Sequence, residues 1–361
     1  MRILVVNAGS SSLKLSLLDG DEVLAARNVS AGPQGWDTEE LTDFCRGMAV
    51  DAVGHRVVHG GDRYTAPVRV DPVVRRHLEE LTALAPLHQP KSLAGIDAVA
   101  DLFPGVASVA CFDTAFHASL PAGASTYALP AEWRQRWGLR RYGFHGLSHA
   151  WASRRVAELM RRSQLRVVVC HLGAGASLCA VRDGRSVDTS MGFTPLEGLV
   201  MATRSGSVDP GLLLWLLERT ELSERELAEA LEHRSGLLAL AGTGDMKELE
   251  VRLEAGDEPA RLGWDVYVHR VVAGVGAMAA AMGGIDALAF TGGVGEHSPA
   301  VRQEVCDRLA FLGLDVDPVA NAEPGPDVCV SIDSARARTY VVQAREDLEV
   351  ARGVREALAE G

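Results

Sequence analysis

Three short runs of small residues each follow a hydrophobic segment: NAGSSS at 7–12, HLGAGAS at 171–177 and TGGVGE at 291–296. Glycine, alanine and serine let backbone N–H groups approach an anion without Cβ obstruction. One such turn is usually a plain hairpin. Three of them, two at matched places in a repeat described below, predict two domains gripping one polyphosphate. Ser12 closes the first turn and Lys14 lies two residues beyond it, on the strand that leaves it. A second group is rich in His and Arg: HRVVHGG at 55–61, PLH at 86–88, DTAFH at 113–117, YGFHG at 142–146 and MATRSGSVDP at 201–210. A lone His or Arg is usually structural or exposed. Here they sit in apolar or glycine-rich stretches at the ends of predicted strands, where α/β folds bind ligands. No Gly-Lys dipeptide is present, which excludes a P-loop; there is no complete Gly-x-Gly-x-x-Gly and no His-Glu-x-x-His helix.

The elements that position these residues are announced by an internal match. RILVVNAGSSSLKLSLLDGDEV at 2–23 aligns without a gap to RVVVCHLGAGASLCAVRDGRSV at 166–187, an offset of 164 residues. Each copy reads as a strand, a small-residue turn, a second strand and an Asp-Gly hairpin. The offset is nearly half the chain, so a duplicated domain is expected. The remainder alternates: strands at 52–58, 107–112 and 286–291, and helices at 147–162, 259–283, 299–311 and 347–359. Asp71-Pro72 is a helix start, and Ser223-x-x-Glu226 is a capping box. Interleaved strands and helices predict an α/β fold.

Composition agrees with this reading. The 361 residues suit two domains, and 47% hydrophobic with 23% charged residues is ordinary globular usage. A net charge of −12, with no basic surplus or basic stripe, argues against nucleic acid as a partner; arginine carries nearly all the positive charge, beside only three lysines (Lys14, Lys91, Lys247). The longest uncharged apolar run, 271–285, is too short to span a bilayer, and its Ala, Gly and Met content suits a buried helix. The apolar run at 3–6 is too short for a signal peptide. Six cysteines without a Cys-x-x-Cys pair read as small buried hydrophobes in a reducing cytosol.

Taken together the motifs resemble the acetate kinase family. The matching blocks are NAGSSSLK (7–14), HRVVHGG (55–61), PLH (86–88), FDTAFH (112–117), YGFHGLSH (142–149), DTSMGFTPLEGL (188–199), TRSG (203–206), FTGGVGE (290–296) and REDLEVAR (345–352). The resemblance implies an α/β, duplicated RNase-H-like (actin-like ATPase) fold with an interdomain active-site cleft. It implies a first domain of 1–114 plus 349–361 and a second of 115–348. The implied reaction is Mg²⁺-dependent transfer from ATP to a short carboxylate, with Mn²⁺ able to substitute, in a cytoplasmic homodimer joined through the second domain. Such a nucleophile is already ionised, so the site must chiefly position and neutralise charge.

By resemblance, Arg56 and Arg204 bind the carboxylate and the phosphoryl oxygens. His145 stabilises the transition state, with His88 and His171 supporting it, and Asp113 is the family's essential aspartate. Asn7 and Glu346 resemble the magnesium residues, and Val58, Leu87, Phe144 and Pro195 the acyl pocket. The expected nucleotide site comprises Ser12, Lys14, His171, Leu172, Gly173, Ala174, Gly175, Asp245, Met246, Lys247, Gly292, Gly293, Val294 and Gly295. Departures from the family pattern fall at Ala174 (usually Asn), Ala202 (Gly), Ser207 (Asp), Met246-Lys247 (an aromatic–Arg pair) and His297 (Asn). They bear on the nucleotide half. The alternatives are a propionate or other short-chain carboxylate kinase, a paralogue with another phosphoryl donor, and a non-catalytic nucleotide-binding module.

Overall fold

β-Branched and leucine-rich runs form the two sheets of the computed structural model, which describes residues 1–9, 12–32, 35–85 and 88–359. The chain divides into two units. The first comprises Met1–Ala118, Phe144–Trp151 and Arg345–Gly361; the second comprises Ser119–Gly143 and Ala152–Ala344.

In the first unit the strands are β1 (Arg2–Ala8), β2 (Ser12–Asp19), β3 (Glu22–Gly32), β4 (Gly35–Trp36), β5 (Ala52–Val57), β6 (Val68–Arg69) and β7 (Ala107–Phe112), in the order β4-β3-β2-β1-β5-β7-β6. The hairpins β1–β2 and β2–β3 are antiparallel, and β1, β5 and β7 run parallel. The central strand β1 is buried on both faces. Leu4 and Val6 pack with Leu41, Phe44 and Val99. Ile3 and Val5 pack with Leu348, Val350 and Val354 of the helix Glu346–Ala359. That helix lies so close to β5 that a Cβ on Gly54 would meet the Val350 and Val354 side chains at 2.6 and 2.7 Å.

The second unit holds β8 (Arg166–Leu172), β9 (Ala176–Arg182), β10 (Arg185–Thr189), β11 (Ala287–Thr291), β12 (Val328–Cys329) and β13 (Arg338–Val341), in the order β10-β9-β8-β11-β13-β12. Its plan repeats the first: an antiparallel three-strand meander, then parallel strands laid beside its first member. The sequence repeat starts both copies: β1 begins at Arg2 and β8 at Arg166. The Asp-Gly hairpins form as expected, Asp183 and Gly184 both taking positive φ (54° and 77°).

Most predicted elements appear within a residue or two, including the helix Pro72–Glu80 capped by Asp71 and the Ser223–Glu226 capping box. Two expectations change. The helix Glu258–Met282 is amphipathic rather than wholly buried: Val271, Val275, Met278 and Met282 face inward while Ala273, Ala277 and Ala280 are exposed. The TGGVGE segment is not an open turn but a short helix, Gly292–His297. No helix among the described residues is long and apolar enough to cross a membrane. None of the six cysteines is in a disulfide; five are buried and Cys329 is half-buried.

Candidate active site

Parallel strands β1, β5 and β7 bring their carboxyl ends together along one edge of the first sheet. Asn7 pairs in register with Arg56, and Arg56 with Cys111, so Asp113 emerges immediately beyond β7. The side chains complete the arrangement. Arg56 Nε donates to Asp113 Oδ1 and Oδ2 at 3.0 and 3.2 Å, and Nη2 donates to Oδ2 at 2.6 Å. Its Nη1 donates to Asn7 Oδ1 at 3.0 Å and lies 3.7 Å from a Glu346 carboxylate oxygen. Asn7 Nδ2 in turn donates to Glu346 Oε2 at 2.8 Å.

Asp113 is 1% exposed, Arg56 and Glu346 14% each, so this is a charge cluster held largely out of water. Burial works against the Arg56 charge, but Asp113 and Glu346 overcome it and raise the guanidinium above its ordinary value. Burial pushes the Asp113 carboxyl up, and the Arg56 fork opposes that shift. The planar fork matches a carboxylate in a way an ammonium would not.

His145 is tied to the same cluster. Its backbone N–H is hydrogen-bonded to the Asp113 carboxylate, and Gly146 N donates to the Asp113 carbonyl at 2.9 Å. A Cβ on Gly146 would overlap that carbonyl, which explains the glycine. His145 itself has φ +55°, a left-handed conformation that few side chains tolerate and that histidine adopts more readily than most. Beneath it His117 shares a 3.0 Å hydrogen bond with the Phe144 carbonyl, and burial lowers its imidazole to about 4, so it is neutral. Sequence reasoning gave His117 no role; its place in DTAFH was the available signal.

Of the other first-unit residues, Val58 and Phe144 are buried, at 6% and 1% exposure. His88 is half-buried at the start of the helix Gln89–Leu102. Lys14 is exposed on β2, directly opposite Asn7. Leu87 lies outside the described residues, as does the Ser12 side chain.

In the second unit the parallel neighbours β8 and β11 end side by side, with His171 opposite Thr291. Gly173 N bonds the Gly175 carbonyl at 3.0 Å and closes the first turn tightly. Gly292 has φ +80°, and a Cβ there would press on the Leu172 carbonyl at 2.8 Å. A cavity of about 390 Å³ opens beside these turns. Seven expected nucleotide residues line it: Gly173, Ala174, Asp245, Met246, Lys247, Gly293 and Val294. Ala202 and His297 line it too, so all but Ser207 of the departures noted in the sequence surround one cavity. Ser207 instead accepts Gly198 N on its hydroxyl at 3.0 Å.

His171 and Gly175 are half-buried, whereas Leu172, Gly292 and Gly295 are buried behind the lining. Asp245 also caps the helix Met246–Glu254, accepting Lys247 N at 2.8 Å. Pro195 is half-buried in the loop after β10. Arg204 forms a 3.0 Å ion pair with Glu232.

Sequence reasoning missed five lining residues: Leu237, Gly244, Glu250, Tyr267 and Ser298. Ser298 donates to Glu250 at 2.5 Å, and the buried Tyr267 hydroxyl has no hydrogen-bond partner among the described residues. It also missed Arg302, wholly buried, which binds the Gly295 and Glu296 carbonyls at 2.9 Å and so fixes the short helix at the cavity.

Two sheets of this order, each a three-strand meander with parallel strands added beside its first member, define the duplicated actin-like ATPase fold. Comparison with known proteins narrows the class. The model of the Acetokinase family matches residues 40–352. The acetate kinase of Leifsonia xyli is 45% identical, covering 99% of both chains. Among solved structures, the Porphyromonas gingivalis acetate kinase superposes with a TM-score of 0.91 at 36% identity, covering 99% of each chain. A propionate kinase from Francisella tularensis gives 0.92 at 33%, covering 98% of each. The chain belongs to the acetokinase family, whose members transfer phosphate to a carboxylate.

Proposed function

We propose that the protein catalyses reversible transfer of the ATP γ-phosphoryl group to acetate, giving acetyl phosphate and ADP by direct in-line displacement. The observation that carries this reading is the Arg56 guanidinium, fixed side-on by Asp113 with Asn7 and Glu346 beside it. An ionised carboxylate needs no base to attack; it needs its charge and that of the phosphates offset. Arg56 and Arg204 supply that positive charge, His145 donates to the transferring group with His88 and His171 in support, and Asp113 keeps the Arg56 fork in plane. Val58, Leu87, Phe144 and Pro195 enclose the acyl methyl.

Asn7 and Glu346 offer an amide and a carboxylate oxygen, hard donors suited to Mg²⁺, or Mn²⁺ in its place, which bind through few side chains plus substrate phosphates. Among the described residues no group of three or more His, Cys, Asp or Glu forms a self-sufficient metal cage, in keeping with nucleotide oxygens completing the shell. A bound divalent cation there would neutralise phosphate charge.

A second reading, propionate as the preferred acceptor, is favoured by the close superposition on a propionate kinase. Purified protein assayed with acetate, propionate and butyrate against ATP, GTP and pyrophosphate decides between them. Failure to form ADP with every short carboxylate overturns both. We also propose a homodimer through the second unit. The helix Pro210–Arg219 buries none of its residues, and Leu212, Leu214 and Trp215 are 47%, 60% and 55% exposed. Light scattering of the wild type and of Trp215→Glu tests this: a monomeric wild type removes it. A cytoplasmic setting is proposed in keeping with six cysteines that form no disulfide.

A further inference from the structure

The loop carrying Pro195 is held by a network that ties the 188–199 block to Tyr127 and Arg141 outside it and that the reaction does not use. Tyr127 donates its hydroxyl hydrogen to Glu197 Oε2 at 2.5 Å and accepts Phe193 N at 2.9 Å on the same oxygen. Arg141 donates Nη2 to Glu197 Oε1 at 2.6 Å. Its Nη1 reaches three successive carbonyls, those of Thr189, Ser190 and Met191, at 3.2, 3.2 and 2.9 Å. The guanidinium carbon also lies 5.7 Å from the Tyr127 ring centroid. Both sides of the loop are therefore gripped: Arg141 holds its entry, Tyr127 holds Phe193, and Glu197, two residues past Pro195, joins the two.

Gly192 belongs to this arrangement. Its carbonyl accepts Tyr142 N and Gly143 N at 3.1 and 3.2 Å, and a Cβ on it would overlap Glu197 and the Tyr127 hydroxyl. An isolated loop of this length would sample many conformations; here the charge-assisted bonds of a half-buried Arg–carboxylate pair select one. Such a network is more than the loop needs merely to stay attached, because β10 and the backbone bonds of Gly192 already anchor it.

We propose that Tyr127, Arg141 and Glu197 are positioning residues that set the place of Pro195, and through it the affinity and size preference for the carboxylate acceptor. This rests on the reading of Pro195 as an acyl-pocket residue. Burial and the Glu197 bond push the Tyr127 hydroxyl up to about 12, so the network keeps its protons throughout the working pH range.

The test is a comparison of Tyr127→Phe, Pro195→Ala and the double variant. KM and kcat are measured for acetate, propionate and ATP. Loss of one hydrogen-bonding hydroxyl is worth about three- to tenfold. Tyr127→Phe should raise the acetate KM by about that factor, move the propionate-to-acetate preference toward propionate, and leave the ATP KM unchanged. Glu197→Gln, which keeps an acceptor for Tyr127, should show a smaller shift in the same direction and serves as the probe should Tyr127→Phe fail to fold. In the Pro195→Ala background, Tyr127→Phe should change the acceptor preference no further.

If Pro195→Ala shifts acceptor preference and Tyr127→Phe does not, the positioning role is overturned while the pocket reading stands. If Pro195→Ala shifts nothing, the pocket reading fails and the proposal falls with it. Equal rises in the acetate and ATP KM values would mark general loosening and also overturn it.

Discussion

At the carboxyl end of β1 stands Asn7, and at the equivalent place in the second copy, the end of β8, stands His171. Around Asn7 the chain gathers Arg56, Asp113 and Glu346 into hydrogen-bonded charge; around His171 it gathers glycines and alanines beside an open cavity. One strand order thus supports opposite preparations. On the proposed function, the first unit has its charged groups fixed before any ligand arrives, because a guanidinium that had to reorganise during transfer would lose its advantage. On the same proposal the second keeps space free, because backbone N–H groups can reach phosphate only where no side chain intervenes. Topology sets where a site lies, and the residues at the strand ends set what it does.

Breaking the first unit's charge should have the largest effect. Arg56→Ala is expected to lower kcat by about 10²–10³ while leaving ATP affinity by calorimetry nearly intact. Arg56→Lys should also be slow, since a point charge cannot replace the fork held by Asp113. Arg204→Ala, a charge of the second unit, should match it in kcat; full activity in either alanine variant removes that residue from the chemistry. A smaller effect belongs to size selection. Val58→Ala should raise kcat/KM for butyrate relative to acetate by about tenfold, the worth of one or two methylenes in a pocket. An unchanged ratio means that Val58 does not face the acyl group.

Changes at the second unit's cavity should be milder, because space is easier to retune than charge. With Met246 and Lys247 lining the cavity, kcat/KM values for ATP and GTP should lie within about tenfold, since a thioether recovers part of the roughly 1–3 kcal/mol of aromatic stacking. Met246→Phe should favour purines over CTP, while Ala174→Asn should tighten all nucleotides alike. An ATP preference above about a hundredfold removes this account of the cavity.

Acid should separate the units last and least. Burial lowers His55 to about 3, with Asp97 opposing, and lowers His59 and His117 to about 4. The unfolded chain binds these protons first, so their stabilisation is fully present above about pH 6.5 and is lost as pH falls toward 4. His233, His269 and His297 in the second unit are exposed. Between pH 7.5 and 5 the melting temperature should drop by a few degrees, with amide exchange rising first in β5. A constant melting temperature, or exchange rising first in β11, contradicts it.

Local pattern made much of this legible. The repeat gave the duplicated start of each sheet because both copies keep a buried alternation and an Asp-Gly turn. Single-residue signals such as Asp71-Pro72 and Ser223–Glu226 marked helix starts because capping is a local matter. The TGGVGE segment was misread as a turn: its glycines suggest open backbone, but its own Glu296 accepts Gly292 N and the distant Ala344 N, and Arg302 of the next helix binds the Gly295 and Glu296 carbonyls. The Tyr127–Glu197 bond spans 70 residues and left no periodic trace. For the charge cluster, residue types were visible in the blocks, whereas the Arg56–Asp113 fork and the positive φ of His145 required the fold.

The hydrogen bond between Asn7 and Glu346 joins residues 339 positions apart. During synthesis at about 5–20 residues per second, Asn7 leaves the ribosome roughly 20 to 70 s before its partner exists. Through that interval the sheet face of Ile3, Val5 and Val109 lacks the helix that will cover it, while the whole second unit is made and free to fold. The first unit is therefore the first begun and the last finished, and a nascent chain arrested before Glu346 carries an exposed apolar sheet for chaperones to shield.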